Sequence, residues 1–357
     1  MTKYNAKKMR NQVVATFTEK HVPEKTQKRI SECGNWMEFI TDYEEDKRKL
    51  YQANFCKNRF CPMCAWRSAQ KDALKISVLI DYLEAEHGKA FIFVTLTAPN
   101  VLGSDLPAEI DRYNDAFKKL TKRKEIEKIN QGYIRKLEIT YNKERDDYHP
   151  HFHCVFAVNK SYFTSRDYVK QDKWLELWRD VMNEPSITQV DVRRVKKSNG
   201  VDERDKAINE VAKYAAKDED YTVSQNVFDM FYNALKGRQI LTFNGLFKEA
   251  NKKYKAHELD HYINVDTTEY FYVLFYRWAV DKYEERKRRE LTEIEKVWLK
   301  GGTTIESKID QDKGEDTINL MIEDVCLHIS QIVTAFICIE RFLDRNRGVP
   351  PGVTDCR

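Results

Sequence analysis

Apolar residues recur along this chain with two different periods, and the switches between them outline a domain. From Ala65 to about Glu86, the positions Leu74, Ile76, Leu79, Ile80 and Leu83 form a one-sided stripe that predicts a helix. Lys89 to Thr97 carries Phe91-Ile92-Phe93-Val94-Thr95-Leu96-Thr97, a β-branched and aromatic run that predicts a strand. Residues 107–130 predict a helix, Tyr133 to Tyr141 a second strand, and Asn142 to Tyr148 a charged turn. His151 to Val158 predicts a third strand with Pro150 at its start. A helix over 164–183, a strand over Ile187 to Val195 and a helix over 203–217 follow. This order predicts an α+β domain with a ferredoxin-like antiparallel sheet and helices packed on it. Residues 1–30 are polar and basic without strong periodicity and read as a flexible arm or a loosely packed start. Beyond about Gly237 the pattern changes. Residues 268–298 and 314–345 predict helices separated by Gly301-Gly302, in a mostly helical C-terminal domain.

Composition narrows the setting. The 357 residues allow two or three domains, and 41% of them are hydrophobic, enough for a sizeable core. The first ten residues are polar and basic with no apolar run behind them. The apolar stretch from Val325 to Leu343 is broken by His328, Glu340 and Arg341. The expectation is a cytoplasmic protein without a membrane segment. A net charge of +4 says little about partners, although local clusters do: Lys118, Lys119, Lys122, Arg123 and Lys124; Arg193, Arg194, Lys196 and Lys197; Arg286, Lys287, Arg288 and Arg289. Such runs can neutralise phosphates, and they can equally be solvated faces.

Four of the eight cysteines lie in the first 64 residues. Cys61-Pro62-Met63-Cys64 is a C-x-x-C knuckle, with Cys56 five residues before it and Cys33 further upstream. Four thiolates can close a tetrahedral structural zinc site and leave no open position for catalysis. Nearby Arg59 and Arg67 are candidates for DNA contact.

His149-Pro150-His151-Phe152-His153 is the segment richest in chemistry. Residues two apart on a strand share a face, so His151 and His153 present adjacent imidazoles while Phe152 points into the core. This suits a divalent cation with open positions. Glu138, on the preceding strand of the same hairpin, is the candidate third ligand, with His149 as the alternative. Further on, Glu210 and Tyr214 are four apart and share a helical face, with Lys217 on the same side and Lys213 one residue away. A phenol needs help to attack near neutral pH, which cations beside it supply.

Taken in order, Phe93–Thr97, His149–His153 and Glu210–Lys217 resemble the three motifs of the HUH endonuclease superfamily. More narrowly they resemble the rolling-circle replication initiators (Rep proteins) of small plasmids from Gram-positive bacteria. Cys56–Cys64 and the segment Phe228–Gly245, with its Tyr232–Arg238 core, are similar to the same family, and the resemblance spans roughly residues 30–260. It implies an HUH palm, with His151 and His153 as metal ligands and Tyr214 as the single nucleophile. Glu210 would activate water for a terminating cleavage. Magnesium or manganese would sit at the active site beside the structural zinc. The DNA contacts then include Arg59, Arg67, Lys213 and Arg238.

The implied layout is a basic arm (1–30), a zinc module (31–75), an HUH endonuclease domain (76–237) and a C-terminal helical domain (238–357) for origin binding or oligomerisation. The implied partners are single- and double-stranded origin DNA, a host helicase and a DNA polymerase, with room for a homo-oligomer. The chain lacks a G-x-x-x-x-G-K-[ST] loop, so unwinding falls to the host. A relaxase or single-tyrosine transposase of the same superfamily and a non-catalytic zinc-containing repressor are the rival expectations.

Overall fold

The computed structural model describes residues 1–195, 203–213, 215–264 and 266–300. The backbone divides into two compact units, Met1–Leu291 and Thr292–Arg357.

The first unit opens with helices α1 (Thr2–Phe17) and α2 (Glu24–Ser31) where an arm was expected. No apolar stripe announces α1, because its buried positions include Lys7, Lys8 and Asn11 beside Val14 and Ala15. Those polar side chains find partners: Lys7 Nζ lies 2.6 Å from Asp218, and Lys8 Nζ donates to the Ser31 and Cys33 carbonyls at 2.9 and 2.8 Å. Next come β1 (Trp36–Thr41), β2 (Arg48–Ala53) and α3 (Pro62–Ala85), whose Pro62 sits in the first turn, where its missing N–H costs nothing.

The expected sheet follows. β3 (Lys89–Thr97) has the bounds read from the sequence. The helix expected over 107–130 is two, α4 (Leu106–Leu120) and α5 (Lys124–Ile129). β4 (Gly132–Asn142) and β5 (Asp147–Asn159) form the hairpin. β5 begins before Pro150, which pairs with Ile139 inside the strand rather than starting it. A short 3-10 turn precedes α6 (Gln171–Met182), so the helix expected from 164 starts seven residues later. β6 (Val190–Val195), α7 (Glu203–Ala212), α8 (Asp218–Tyr221) and α9 (Gln225–Leu235) complete this stretch.

Sheet order is β6-β3-β5-β4-β7, antiparallel throughout, where β7 (Leu241–Phe243) is an edge strand that the sequence pattern does not announce. Gly132 and Gly245 hold that edge in place. A Cβ on Gly245 would lie 2.6 Å from the Gln131 oxygen and from Gly132 Cα, and its φ of +53° also suits glycine. The sheet is packed on both faces. Ile92, Val94, Leu96, Leu137, Ile139, Phe152 and Phe156 meet α4 and α6. Phe91, Phe93, Ile134, Val155 and Ala157 meet α3, α7 and α10 (Leu246–Lys255).

A second antiparallel sheet, β2-β1-β8-β9, corrects the helix expected over 268–298. β8 (Tyr272–Trp278) buries Val273, Leu274 and Tyr276. β9 (Tyr283–Glu290) is an edge strand whose charged residues look helical in sequence; pairing with β8 and the burial of Tyr283 hold it extended. Charge on an edge strand also blocks pairing with other chains. Residues 238–291 therefore share a compact unit with the sheet domain instead of beginning a helical one.

Of the second unit the structure describes α11 (Glu293–Lys300), opened by a capping box between Thr292 and Glu295. The helix expected over 314–345 and the Gly301-Gly302 break lie outside the described residues. Among the described residues no helix is long and apolar enough to cross a membrane.

Candidate active site

On the α3/α7 face of the first sheet, apolar side chains give way to polar ones at the same level on three strands. Along β5, Ala157 and Val155 are followed by His153, His151 and His149; along β3, Phe91 and Phe93 by Thr95 and Thr97; along β4, Ile134 by Lys136 and Glu138. Strand register sets His151 opposite Glu138 and Thr97, and His153 opposite Lys136 and Thr95.

Glu138 Oε2 lies 3.0 Å from His153 Nε2 and 3.7 Å from His151 Nε2, all three residues buried. Burial opposes ionisation of Glu138, but the polar contacts of the His151 and His153 imidazoles outweigh it and hold its carboxyl well below the usual carboxylate range. Thr95 Oγ1 sits 3.2 Å from His153 Nδ1, and the His149 carbonyl 3.2 Å from His151 Nδ1. Each contact occupies Nδ1 and turns Nε2 toward Glu138, as orienting partners of metal-binding histidines do. His153 also stacks on Phe93, with ring centroids 5.5 Å apart, and Phe152 packs behind the sheet against Tyr113 and Phe117.

The donor set fits a divalent cation. Ligand atoms about 2.1 Å from an ion and at right angles to one another are about 3.0 Å apart, close to the separations here. Glu138, His151 and His153 supply the clustered ligand atoms. His149 stacks on His151, its centroid 5.1 Å away, on the same face but outside that cluster. Burial, then the neighbouring His151, holds its imidazole below the ordinary value.

Helix α7 brings Glu210 to the site, with Oε2 3.6 Å from His153 Nε2 and Oε1 accepting from Lys213 Nζ at 2.7 Å. The helix expected to run to 217 ends at Ala212. Lys217 is therefore on no shared helical face with Glu210; it is exposed and caps α8. Tyr214 lies outside the described residues, as do Lys196 and Lys197. Its neighbour Ala215 accepts a hydrogen bond from the Ile139 N–H at 2.7 Å, so Ala215 lies against the β4 edge beyond β7, next to Glu138. Tyr221 is buried, and its hydroxyl donates to the Phe60 carbonyl at 3.2 Å.

The cysteine cluster sits at the start of α3. Cys33, Cys56, Cys61 and Cys64 bring their sulfurs together, with Cys33–Cys64, Cys33–Cys61 and Cys56–Cys64 separations of 3.5, 3.5 and 3.6 Å. A disulfide would need about 2.0 Å, whereas a tetrahedron of ~2.3 Å metal–sulfur bonds has edges of about 3.8 Å. The N–H groups of Cys56, Lys57 and Asn58 and the Asn11 amide donate to these sulfurs at 3.2–3.5 Å. Hydrogen bonds from Cys33, Cys56 and Cys61 hold the Cys64 thiol far below its ordinary value, whereas burial pushes Cys61 up. Lys8, buried close by, adds a positive charge that no sequence signal announced.

Two of the basic candidates bond within the protein. Arg59 donates to the Leu235 and Arg238 carbonyls at 3.0 and 2.8 Å, and Arg238 pairs with Asp111. Arg67 lies over the Phe55 ring at 4.3 Å, and Lys213 is the partner of Glu210. Sequence reasoning misses Lys136, although its position two residues before Glu138 on one strand puts it on the same face.

Comparison with known proteins adds a separate line of support. A replication protein family model matches residues 47–286. A "Protein rep" from Staphylococcus aureus is 50% identical over 227 residues, covering 63% of this chain and 97% of the relative. Proteins of the same name from Bacillus amyloliquefaciens and Streptococcus pneumoniae are 38% and 36% identical over 248 and 238 residues, covering 64% and 65% of this chain and 73% of each relative. No solved structure matches. With two thirds of its length inside the family model and a relative matched nearly end to end, the chain belongs to the replication protein (Rep) family, the replication initiators of plasmids from Gram-positive bacteria.

Proposed function

We propose that this initiator nicks one strand of its plasmid origin and stays joined to it through Tyr214, starting rolling-circle replication. The observation that carries the reading is the Glu138–His151–His153 cluster, whose Glu138 lies on the strand that binds Ala215, the residue after Tyr214, at its edge. A divalent cation held there, magnesium or manganese, supplies Lewis-acid polarisation of a phosphate. Tyr214 Oη attacks the phosphorus and loses its proton to a base. The bond to the 3′-oxygen breaks, the phosphate remains on Tyr214 at the 5′ side, and the 3′-oxygen takes up a proton to become the primer hydroxyl. Glu210, facing His153 from α7, is the group positioned to draw a proton from water in the terminating cleavage. The four cysteines hold a structural zinc, supported by the near-tetrahedral sulfur spacing. Origin DNA is the substrate, and a host helicase and polymerase extend the primer.

The test is a labelled single-stranded oligonucleotide carrying the origin nick site, incubated with and without manganese and resolved on a denaturing protein gel. A metal-dependent adduct lost in Tyr214→Phe is expected. Cleavage without an adduct would replace this reading with a water-using nuclease. Binding without cleavage at the correct origin would favour a repressor.

A further inference from the structure

One pleat from Glu138, on the same face of β4, lies Lys136, which is 5% exposed. Its cross-strand neighbours are His153 and Leu241. The row below it on this face is apolar, with Ile134, Val155 and Phe93. Lys136 makes no hydrogen bond or ion pair among the described residues. The carboxylates whose field reaches its ammonium are Asp72 of α3 and Glu138. Neither is an ion-pair partner: Asp72 is held by Lys75 at 2.6 Å, and Glu138 faces the two histidines.

A largely buried lysine with no ion-pair partner among the described residues is costly, and here an apolar side chain like those beside it would avoid the cost. The other cations near the site differ. Lys213 is taken by Glu210, and Arg193, exposed on β6, lies against Asp191 and the Phe93 ring. Once a divalent cation occupies the neighbouring cluster, two positive groups stand side by side on one face, an arrangement that an anion touching both would stabilise. A phosphodiester supplies that anion.

We propose that Lys136 is a catalytic residue whose ammonium contacts a non-bridging oxygen of the scissile phosphate and stabilises the charge gathering there as the bond to tyrosine forms and the bond to the 3′-oxygen breaks. This rests on the nicking reading above. A preorganised charge in a dry site is worth far more than one in water, and loss of one such donor typically slows a reaction about 100-fold or more.

The experiment measures single-turnover adduct formation by the full chain with manganese, for wild type, Lys136→Met and Lys136→Arg. Three oligonucleotides are compared: the natural phosphodiester, and the two diastereomers of a methylphosphonate at the scissile position, which removes one charged oxygen. Lys136→Met is expected to slow nicking of the phosphodiester about 100-fold. Its deficit should collapse to within about fivefold on the methylphosphonate diastereomer that lacks the contacted oxygen. Lys136→Arg should recover part of the rate, which keeps the test usable if the methionine variant melts early. Wild-type nicking rates in both variants would overturn the proposal, as would an equal deficit on all substrates, the mark of a structural role. Absence of any wild-type adduct on the phosphodiester would overturn the nicking reading itself, and this proposal with it.

Discussion

The two clusters of ligating side chains are built from opposite materials. The cysteine cluster gathers residues from three separate stretches of chain, Cys33, Cys56 and the Cys61/Cys64 knuckle, and backbone N–H groups close around the sulfurs. The histidine cluster comes from one hairpin, and Glu210, a third exposed, stands beside it. Four sulfurs satisfied on every side leave a metal nothing to do but hold chain together. Two imidazoles and one carboxylate on a sheet face leave coordination positions free for substrate. Donor type and number, more than the presence of ligands, separate a clasp from a reaction centre.

The sharpest way to break this contrast is to remove one ligand from each. Cys61 is fully buried, and its sulfur also receives the Asn11 amide from α1. If the cluster holds the proposed zinc, Cys61→Ser should release it and lower stability by about 3 kcal/mol or more, because metal binding and folding are coupled in such modules. Thermal melting together with metal content would show it. An unchanged melting temperature with full zinc would remove Cys61 from the ligand set.

His153→Ala should do the reverse. The fold loses a ring stacked on Phe93, worth about 1 kcal/mol, while adduct formation falls at least about 100-fold. Parallel melting curves and adduct assays separate the two effects. If melting collapses and nicking per folded molecule survives, the histidine cluster is a clasp as well.

The hairpin explains why this centre is legible in the sequence. Alternation on β5 selects His151 and His153, and a short turn brings Glu138 opposite them, so local rules suffice. β3 is equally legible, since a strand buried on both faces carries a continuous apolar run. What escapes depends on partners far along the chain. α1 buries two lysines and an asparagine whose partners lie as far away as Asp218, and β9 is extended only because β8 pairs with it. α7 stops at Ala212, where the chain turns to meet Ile139; the periodicity of 203–217 continues past that point. Lys136 escapes for another reason: in sequence a lysine on a strand suggests solvent, and its burial comes from tertiary packing over β4, which α7 and α10 contact.

The smallest expected effect falls on Glu210, and it sharpens the comparison inside the reaction centre. Its ion pair with Lys213, just past the end of α7, is partly exposed, so Glu210→Ala should shift stability by less than about 1 kcal/mol. The first nick needs the cluster and the tyrosine but no base on water, so the rate of initial adduct formation should change no more than a few-fold. Termination is different. With Tyr214 already esterified and Tyr221 buried against Phe60, the second cleavage calls on water, and Glu210 is the carboxylate that faces His153 from α7. Glu210→Ala should therefore accumulate adduct and multimeric replication products while single-turnover nicking persists. An unaltered yield of released monomer circles would show that termination uses a different group, and would leave Glu210 as the partner that holds Lys213 beside the site.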